Sequence, residues 1–409
     1  MAYYSIDVLH VLQVSYNLPD TQPGVKAAFE SSWQELDPMT RRVGQLLSLF
    51  APTVLPWKWL ESATGLLKWS KADIKRAKKL LYKHNLIQQV QDKEDYYKIE
   101  PLTRKFLQAK LAASEYANNL KRAFAQVIVP IAHQIPDAPT RKAIEALKDA
   151  IPHLEEVALN LPDAVSAEDL LWIFDRIGRF YKSQGLYAQA EPWFVQCVSV
   201  AKATMGEEHP DVATSLNNLA GFYYSQERYS EAEPLYVEAL ELKKDLLGDN
   251  HPDVAASLNN LAALYDAQGR DREAQPLYVK ALEMRKRLLG DNHPDVATSL
   301  NNLALLYYSQ GRYSEAQPLY EQALELRKRL LGDNHPDVAT SLSNLALLYY
   351  SQGDYNQAQP LLEQALELSE RVLGVNHPNT IIFSENLAMF QAKMSSKTSW
   401  LQQILRKKL

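Results

Sequence analysis

Residues 289–330 read LGDNHPDVATSLNNLALLYYSQGRYSEAQPLYEQALELRKRL, and close variants of this segment follow one another through the second half of the chain. A histidine–proline step recurs every 42 residues, at His209, His251, His293, His335 and His377. A fixed period of about 20–50 residues is typical of a solenoid, whose units bury their apolar faces only by stacking on one another. The repeat therefore predicts an array with a long concave surface, which usually binds another chain.

Each unit contains two amphipathic helical patterns. In the unit 211–252, Leu216, Leu219 and Tyr223 recur at the spacing of one helical face. We expect a first helix over about residues 211–226, with Pro210 at its start and a turn at Glu227. The second helix is expected to begin near Ser230 as N-cap and to end at residue 248, with a proline in its first turn.

These residue types, large-x2-Leu-small-x2-Tyr and then Ala-x3-aromatic-x2-Ala, resemble a tetratricopeptide repeat. The 42-residue form, with L-G-D-N-H-P-D-V-A and S-L-N-N-L-A, is similar to the repeats of kinesin light chains and of many bacterial proteins. The resemblance covers about residues 169–394 and implies a mainly α, right-handed superhelix. No sustained heptads precede Glu168, so we expect no motor role.

The array is expected over residues 167–394, with units at about 169–210, 211–252, 253–294, 295–336 and 337–378 and a half unit at 379–394. Residues 395–409 are expected to form a helix that caps the last open face, with Trp400, Leu401, Ile404 and Leu405 at helical spacing. The alternative for this end is membrane contact through Arg406, Lys407 and Lys408.

The front third of the chain carries a different pattern. Four helices are expected at about residues 24–36, 38–50, 56–63 and 71–84, then strands at 86–90 and 96–100, then a helix from Pro101 to Leu111. Helices followed by a short hairpin suggest a winged-helix-like domain over 23–112, after a lead segment at 1–22. Residues 113–166 are expected to form a helical hairpin that connects this domain to the array.

Two segments, VKAAFESSWQELDPMTRRVGQLLSLFAPTVLPWKWLE at 25–61 and YYKIEPLTRKFLQAKL at 96–111, resemble the region that follows the nucleotide-binding module of NB-ARC/STAND signalling ATPases. The resemblance implies packing against an NTPase module, in trans if this chain is a separately encoded sensor half. The chain has no G-x-x-x-x-G-K-[ST] loop, so we expect it to bind no ATP itself.

A row of asparagines is the main candidate site. In tetratricopeptide proteins this position of the first helix lines the concave groove. Because an amide both donates and accepts, such a row is suited to hold the backbone of an extended peptide. The alternative is that the amides bond to the next repeat and fix the superhelix. The candidates are Asn217, Asn218, Asn259, Asn260, Asn301, Asn302, Asn344 and Asn386, with Ser343 in one unit.

Tyr224, Tyr308 and Tyr350 follow about two turns later on the same side. They are suited to supply contact area for a ligand, and the alternative is packing against the adjacent helix. Asp266 replaces the tyrosine in one unit. We expect selectivity to rest on such departures, because the rest of the groove is uniform.

A basic helix precedes the predicted wing. A winged helix of this kind is suited to duplex DNA, but the related ATPases use the segment for packing, so we favour a partner surface and consider nucleic acid unlikely. Its basic residues are Lys71, Lys75, Arg76, Lys78, Lys79 and Lys83.

Composition narrows the remaining classes of function. A net charge of -5 gives no global attraction to nucleic acid or anionic membrane. The single Cys197 excludes a disulfide framework and favours a reducing compartment. The five histidines of the His-Pro steps lie one repeat apart, which is too far for them to share a metal ion, and they are expected to start helices. With no signal peptide and no membrane span expected, the setting is predicted to be cytoplasmic.

The sequence therefore predicts a non-enzymatic scaffold or sensor, without cofactor or metal, that binds a protein or extended peptide in its groove. A signalling ATPase-type assembly is the expected context. The alternative is a regulatory fragment whose winged helix acts on DNA or on an ATPase partner.

Overall fold

The computed structural model describes residues 23–91, 93–137 and 139–407, and almost all of its secondary structure is helical. Contacts divide the chain into two compact units. The first comprises the described residues up to Asp137 together with Glu145–Ile177. The second comprises the stretch that ends at Ile144 and the chain from Gly178 onward. The boundary after Ile177 falls inside a helix, eleven residues later than the boundary predicted at residue 166. It lies later because Trp172 stacks on His133 and Arg176 pairs with Asp137, which keeps the start of this helix in the first unit.

The first unit begins with helices whose ends lie within three residues of the prediction. A small antiparallel sheet accompanies them, with Tyr97 of its central strand opposite Leu55 on one side and Gln89 on the other. The first strand was not predicted, since two residues give no pattern, and its Pro56 is tolerated on an edge strand. The elements are α1 (Pro23–Gln34), α2 (Pro38–Leu47), β1 (Leu55–Pro56), α3 (Trp57–Leu66), α4 (Lys71–Lys83), β2 (Gln88–Gln89), β3 (Tyr96–Lys98) and α5 (Pro101–Ala112). The winged-helix assignment stays a prediction.

The expected hairpin over 113–166 is instead three helices and a 3-10 turn: α6 (Ala117–Ala132), α7 (Arg141–Leu147), α8 (Ile151–Asn160) and residues Pro162–Ala164. The break expected near Pro136 is present. A second break precedes Ile151, because Pro152 suits the first turn of a new helix and disfavours the helical interior.

The second unit is a series of helix pairs in the period of the sequence. Its helices are α9 (Ala167–Lys182), which begins in the first unit, α10 (Tyr187–Met205), α11 (Pro210–Tyr224), α12 (Tyr229–Leu247), α13 (Pro252–Ala267), α14 (Asp271–Leu289), α15 (Pro294–Ser309), α16 (Tyr313–Leu331), α17 (Pro336–Gln352), α18 (Tyr355–Val372) and α19 (Pro378–Lys407). The half unit and the capping helix predicted at 379–394 and 395–409 are one continuous helix, α19, as far as residue 407. The side chains of Trp400, Leu401, Ile404, Leu405, Arg406, Lys407 and Lys408 lie outside the described part.

Each histidine of the His-Pro steps acts as a helix N-cap. His209 Nδ1, for example, accepts the backbone N–H of Asp211 at 3.2 Å, and Pro210 is the first residue of the helix. The cap satisfies one of the backbone donors that a helix start leaves unpaired. The prediction that these residues start helices is confirmed by this geometry.

Ser230, by contrast, is not the N-cap of the second helix. That helix begins at Tyr229, and Arg228 precedes it without a side-chain cap. Arg228 lies 4.2 Å above the Tyr223 ring and pairs with Glu191 of the preceding unit at 2.8 Å, which fixes the residue before the helix. Pro234 consequently lies in the second turn rather than the first.

The helices of a pair pack through small residues. Ala220 and Ala232 are fully buried in one cluster with Tyr236, so the two backbones approach closely. First helices of neighbouring units also come closer to each other than second helices do. The first helices therefore form the inner side of the curved array.

Buried cations join successive units. Arg285 Nη1 donates to the Asp295 carbonyl at 3.0 Å and to Ser299 Oγ at 2.8 Å, and Arg327 repeats the arrangement one unit later. Both guanidinium groups are almost fully buried. The second helix of one unit is thereby bonded to the first helix of the next.

One turn provides a direct test of backbone strain. Glu227 has a φ of +60°, where the matching Gly269 has +71°. An L side chain is disfavoured there by about 1 kcal/mol relative to glycine. We expect Glu227→Gly to raise the denaturation midpoint, measured by circular dichroism in urea, and Gly269→Glu to lower it. An unchanged or lower midpoint for Glu227→Gly would contradict the strain.

Candidate functional site

The inner face of the first helices carries the predicted asparagine row, and we call this face the groove. The first helices contribute two neighbouring residues each, which we call the first and the second position. The first-position side chains are Asn217, Asn259, Asn301 and Ser343, and the second-position side chains are Asn218, Asn260, Asn302, Asn344 and Asn386. The two positions have different environments.

The first-position groups are largely structural. Asn259 and Asn301 are 3% and 5% exposed, so these two predicted groove residues are buried and not open to a ligand. Asn301 Oδ1 accepts a hydrogen bond from Asn344 Nδ2 of the next unit at 3.1 Å. Asn217 Oδ1 accepts from Asn260 at 2.9 Å in the same way. These bonds span neighbouring units, as the alternative for this row proposed.

The second-position asparagines are half-buried, and Asn260 and Asn344 retain unused hydrogen-bonding capacity. Asn260 and Asn344 each donate to the preceding unit, and within the described residues no donor reaches their Oδ1 atoms. Asn386 donates to Ser343 Oγ at 3.3 Å. An amide whose nitrogen is anchored presents its oxygen in a fixed direction, which suits it to accept a peptide N–H.

Asn259 and Asn302 interrupt this pattern. Asn302 Oδ1 accepts from its neighbour Asn301 at 3.4 Å, and its Nδ2 reaches no partner in the described part of the chain. The Oδ1 of Asn259 is buried without a hydrogen-bond partner among those residues. Buried polar atoms are almost always paired, so it is unusual that two amides of neighbouring units, Asn259 and Asn302, each have an atom without a partner among these residues.

The predicted tyrosines are half-buried beside the row. Each ring packs on a tyrosine at the start of the second helix of its own unit, with centroids 5.7–5.9 Å apart for Tyr224, Tyr308 and Tyr350. The Tyr308 hydroxyl also lies 2.9 Å from Ser351 Oγ of the next unit. The rings therefore pack against the adjacent helix and still present part of their surface to the groove.

Asp266 takes the tyrosine position in the unit 253–294. Burial, and then the charge of Asp271, raises the pKa of Asp266 to about 6. Burial and then Asp266 raise the pKa of Tyr278. Burial, Tyr308 and Asp266, in that order, raise the pKa of Tyr320. The carboxyl group thus lies in an aromatic environment of low polarity.

An apolar surface in the groove was missed by the sequence reasoning. Leu305 is 40% exposed and lies three and four residues after the two asparagines of its helix, hence on the same face. Leu347 takes this position in the next unit, where earlier units have Gly221 and Ala263. The change from small to large residues at one repeat position was the available signal.

The basic helix α4 is partly neutralised within the first unit. Lys78 pairs with Asp95 at 2.6 Å and lies 4.7 Å from the centre of the Tyr97 ring. Arg76 pairs with Asp37 at 3.3 Å. The remaining members, Lys71, Lys75, Lys79 and Lys83, are exposed. A role as a nucleic-acid or partner surface stays a prediction.

The other candidates have structural environments. Cys197 is buried at 5% exposure. Within the described ranges, no group of three or more histidine, cysteine or acidic side chains is arranged to hold a metal ion. No helix in those ranges is both long and apolar enough to span a membrane.

The division of the asparagine row can be tested within one helix. Asn301→Ala removes the acceptor of a buried interrepeat bond and should lower the free energy of unfolding by about 1–3 kcal/mol. Asn302→Ala, one residue further on, removes only the long 3.4 Å bond from Asn301 and should lower it by less than about 0.5 kcal/mol. Urea denaturation of the two variants checks this, and equal effects would contradict the division.

Asp266 predicts a pH-dependent stability. Folded Asp266 holds its proton to a higher pH than an unfolded aspartate, so the charged form destabilises the fold. The penalty is absent below about pH 4 and complete above about pH 7. Asp266→Asn should therefore raise the free energy of unfolding by about 1–2 kcal/mol at pH 7.5, allowing for solvent screening, and by little near pH 4. A variant whose advantage does not shrink on acidification would contradict this assignment.

Comparison with known proteins agrees with the period of the repeat. A family model described as tetratricopeptide repeat matches residues 169–245, 211–287, 272–329, 295–371 and 337–394, together more than half of the chain. Among the curated proteins compared, none matches this chain.

Three solved structures are similar in form. BtubC (BKLC) from P. vanneervenii is 24% identical, covering 56% of this chain and 91% of that chain, with a TM-score of 0.43. A putative kinesin light chain with nearly identical repeats from Podosopora anserina is 28% identical, covering 51% and 98%, with a TM-score of 0.41. NprR in complex with its cognate peptide NprX is 15% identical, covering 91% and 84%, with a TM-score of 0.49. With all three TM-scores below 0.5, these similarities carry no functional conclusion.

Proposed function

Because the chain belongs to the tetratricopeptide repeat family, we propose that its repeat array is a non-enzymatic scaffold or sensor that binds an extended segment of another protein in the groove. The observation that carries the proposal is the second-position asparagine row. All of them are half-buried and recur in register along the inner helices, and the Nδ2 atoms of Asn260, Asn344 and Asn386 are anchored on the preceding unit.

A peptide backbone matches such a row. It presents N–H and C=O groups at regular intervals, which amide side chains pair without reading sequence. The partly exposed rings of Tyr224, Tyr308 and Tyr350 add rigid contact area at low entropic cost, since a tyrosine has few rotatable bonds. Backbone bonding gives affinity, and the side chains around the row give selectivity.

The wider context is also a proposal. The resemblance of residues 25–61 and 96–111 to the segment beside the nucleotide-binding module of STAND ATPases supports a cytoplasmic signalling assembly with an NTPase partner. The exposed lysines of α4 offer charged contacts for such a partner.

Peptide binding is tested with a displayed library of random decapeptides. We expect the chain to select binders, and the triple variant Asn260→Ala, Asn302→Ala, Asn344→Ala to weaken them at least about tenfold in fluorescence anisotropy, because three backbone contacts are lost.

The matched control replaces three exposed residues of the second helices, also one repeat apart: Lys280→Ala, Gln322→Ala and Gln364→Ala. It should bind like the unmodified chain. The asparagine triple variant loses two hydrogen bonds between units and should melt below the unmodified chain, so binding is measured at a temperature at which circular dichroism shows all three chains to be folded. Failure to select any binder, or equal loss of affinity in the control, would contradict the groove as the binding site.

A further inference from the structure

The unit 253–294 departs from its neighbours at two adjacent groove positions. Where the other full units from 211 onward carry tyrosine and serine, this unit carries Asp266 and Ala267. In the unit pair that follows, the tyrosine hydroxyl of one unit lies 2.9 Å from the serine hydroxyl of the next. That link is absent on both sides of Asp266, because it offers no phenol and Ala267 offers no hydroxyl. The shorter side chain also occupies less of the tyrosine row.

Two hydrogen-bond acceptors on α13, in the side chains of Asn259 and Asp266, have no donor among the described residues. Asp266 is half-buried, and within the described residues no hydrogen bond or ion pair reaches its carboxylate. The Oδ1 atom of Asn259, seven residues earlier and so on the same helical face, is buried without a partner there. A buried acceptor without a donor is costly, and a carboxylate more so than an amide. Asn259 is only 3% exposed, so the half-buried Asp266 carboxylate is the acceptor that a donor entering from the groove would reach.

The groups around Asp266 do not offset its charge. Burial first, and then charges that include Asp266, raise the pKa of three tyrosines around it. These are Tyr224 in the preceding unit, Tyr278 in the same unit and Tyr320 in the following unit. Asp271, at the start of the second helix, is itself acidic. Tyr278 and Tyr320 are each 1% exposed, so their rings lie beneath the groove surface, and the Tyr224 ring is half-buried. Among the described residues the site is thus a poorly solvated carboxylate without a paired cation, which favours a lysine or arginine side chain through a charge-assisted hydrogen bond.

We propose that Asp266 is a specificity-determining residue that binds a lysine or arginine side chain of the peptide held in the groove. The assignment rests on the proposed peptide-binding function and names the chemistry of its ligand. The basic side chain enters where the tyrosine row is shortened and pairs with the Asp266 carboxylate. Leu305, exposed on the groove face of the next first helix, offers an apolar contact to another residue of the same peptide.

The test repeats the decapeptide selection with three chains: the unmodified protein, Asp266→Asn and Asp266→Tyr. The first substitution keeps the shape and removes the charge, and the second restores the residue of the neighbouring units. We expect the unmodified protein to enrich lysine or arginine at one peptide position and both variants to lose that enrichment. Asp271→Asn, which removes a nearby carboxylate outside the tyrosine row, is the matched control and should keep it.

A double-mutant cycle measures the contact itself. Replacing the enriched basic residue by glutamine should weaken binding to the unmodified protein at least about tenfold and to Asp266→Asn less than about twofold. Enrichment of lysine or arginine that persists in Asp266→Asn would overturn the assignment. Binders without any basic preference would overturn it and leave peptide binding intact, whereas no binders to any of the chains would overturn both.

Discussion

The structure of the array depends on one constraint: no pair of helices can bury its apolar face alone. Ala220 and Ala232 let the two helices of a unit approach closely, and the remaining apolar surface is covered only by the next unit. The first helices come closest to one another and therefore line the inside of the curve. A groove is thus a geometric consequence of stacking.

The same constraint divides the asparagine row. Polar groups that stacking buries must be paired, and Asn301 is paired by Asn344 of the following unit. The partner that provides this bond is left with an open oxygen at the groove surface. One interaction therefore fixes the spacing of the units and prepares a regular set of acceptors. Asp266 is the departure from this regularity that introduces charge.

Local signals made much of this predictable. The 42-residue period gave the helix pairs, and each His-Pro step gave a helix start, because a cap and its proline act within one turn. Tertiary contacts decided the rest. Arg228 precedes its helix because it stacks on Tyr223 and pairs with Glu191, which overrides the capping preference of Ser230. Burial of Asn259 and exposure of Leu305 follow from how units stack, which a single unit's pattern does not show.

The most direct test of the central claim is a crystal structure of the chain with a decapeptide selected by it. We predict an extended peptide along the first helices, with backbone N–H groups within about 2.7–3.2 Å of the Oδ1 atoms of Asn260 and Asn344. Asn259 and Asn301 should remain buried between units. A peptide bound to the second helices, or one that leaves the second-position asparagines without contact, would contradict it.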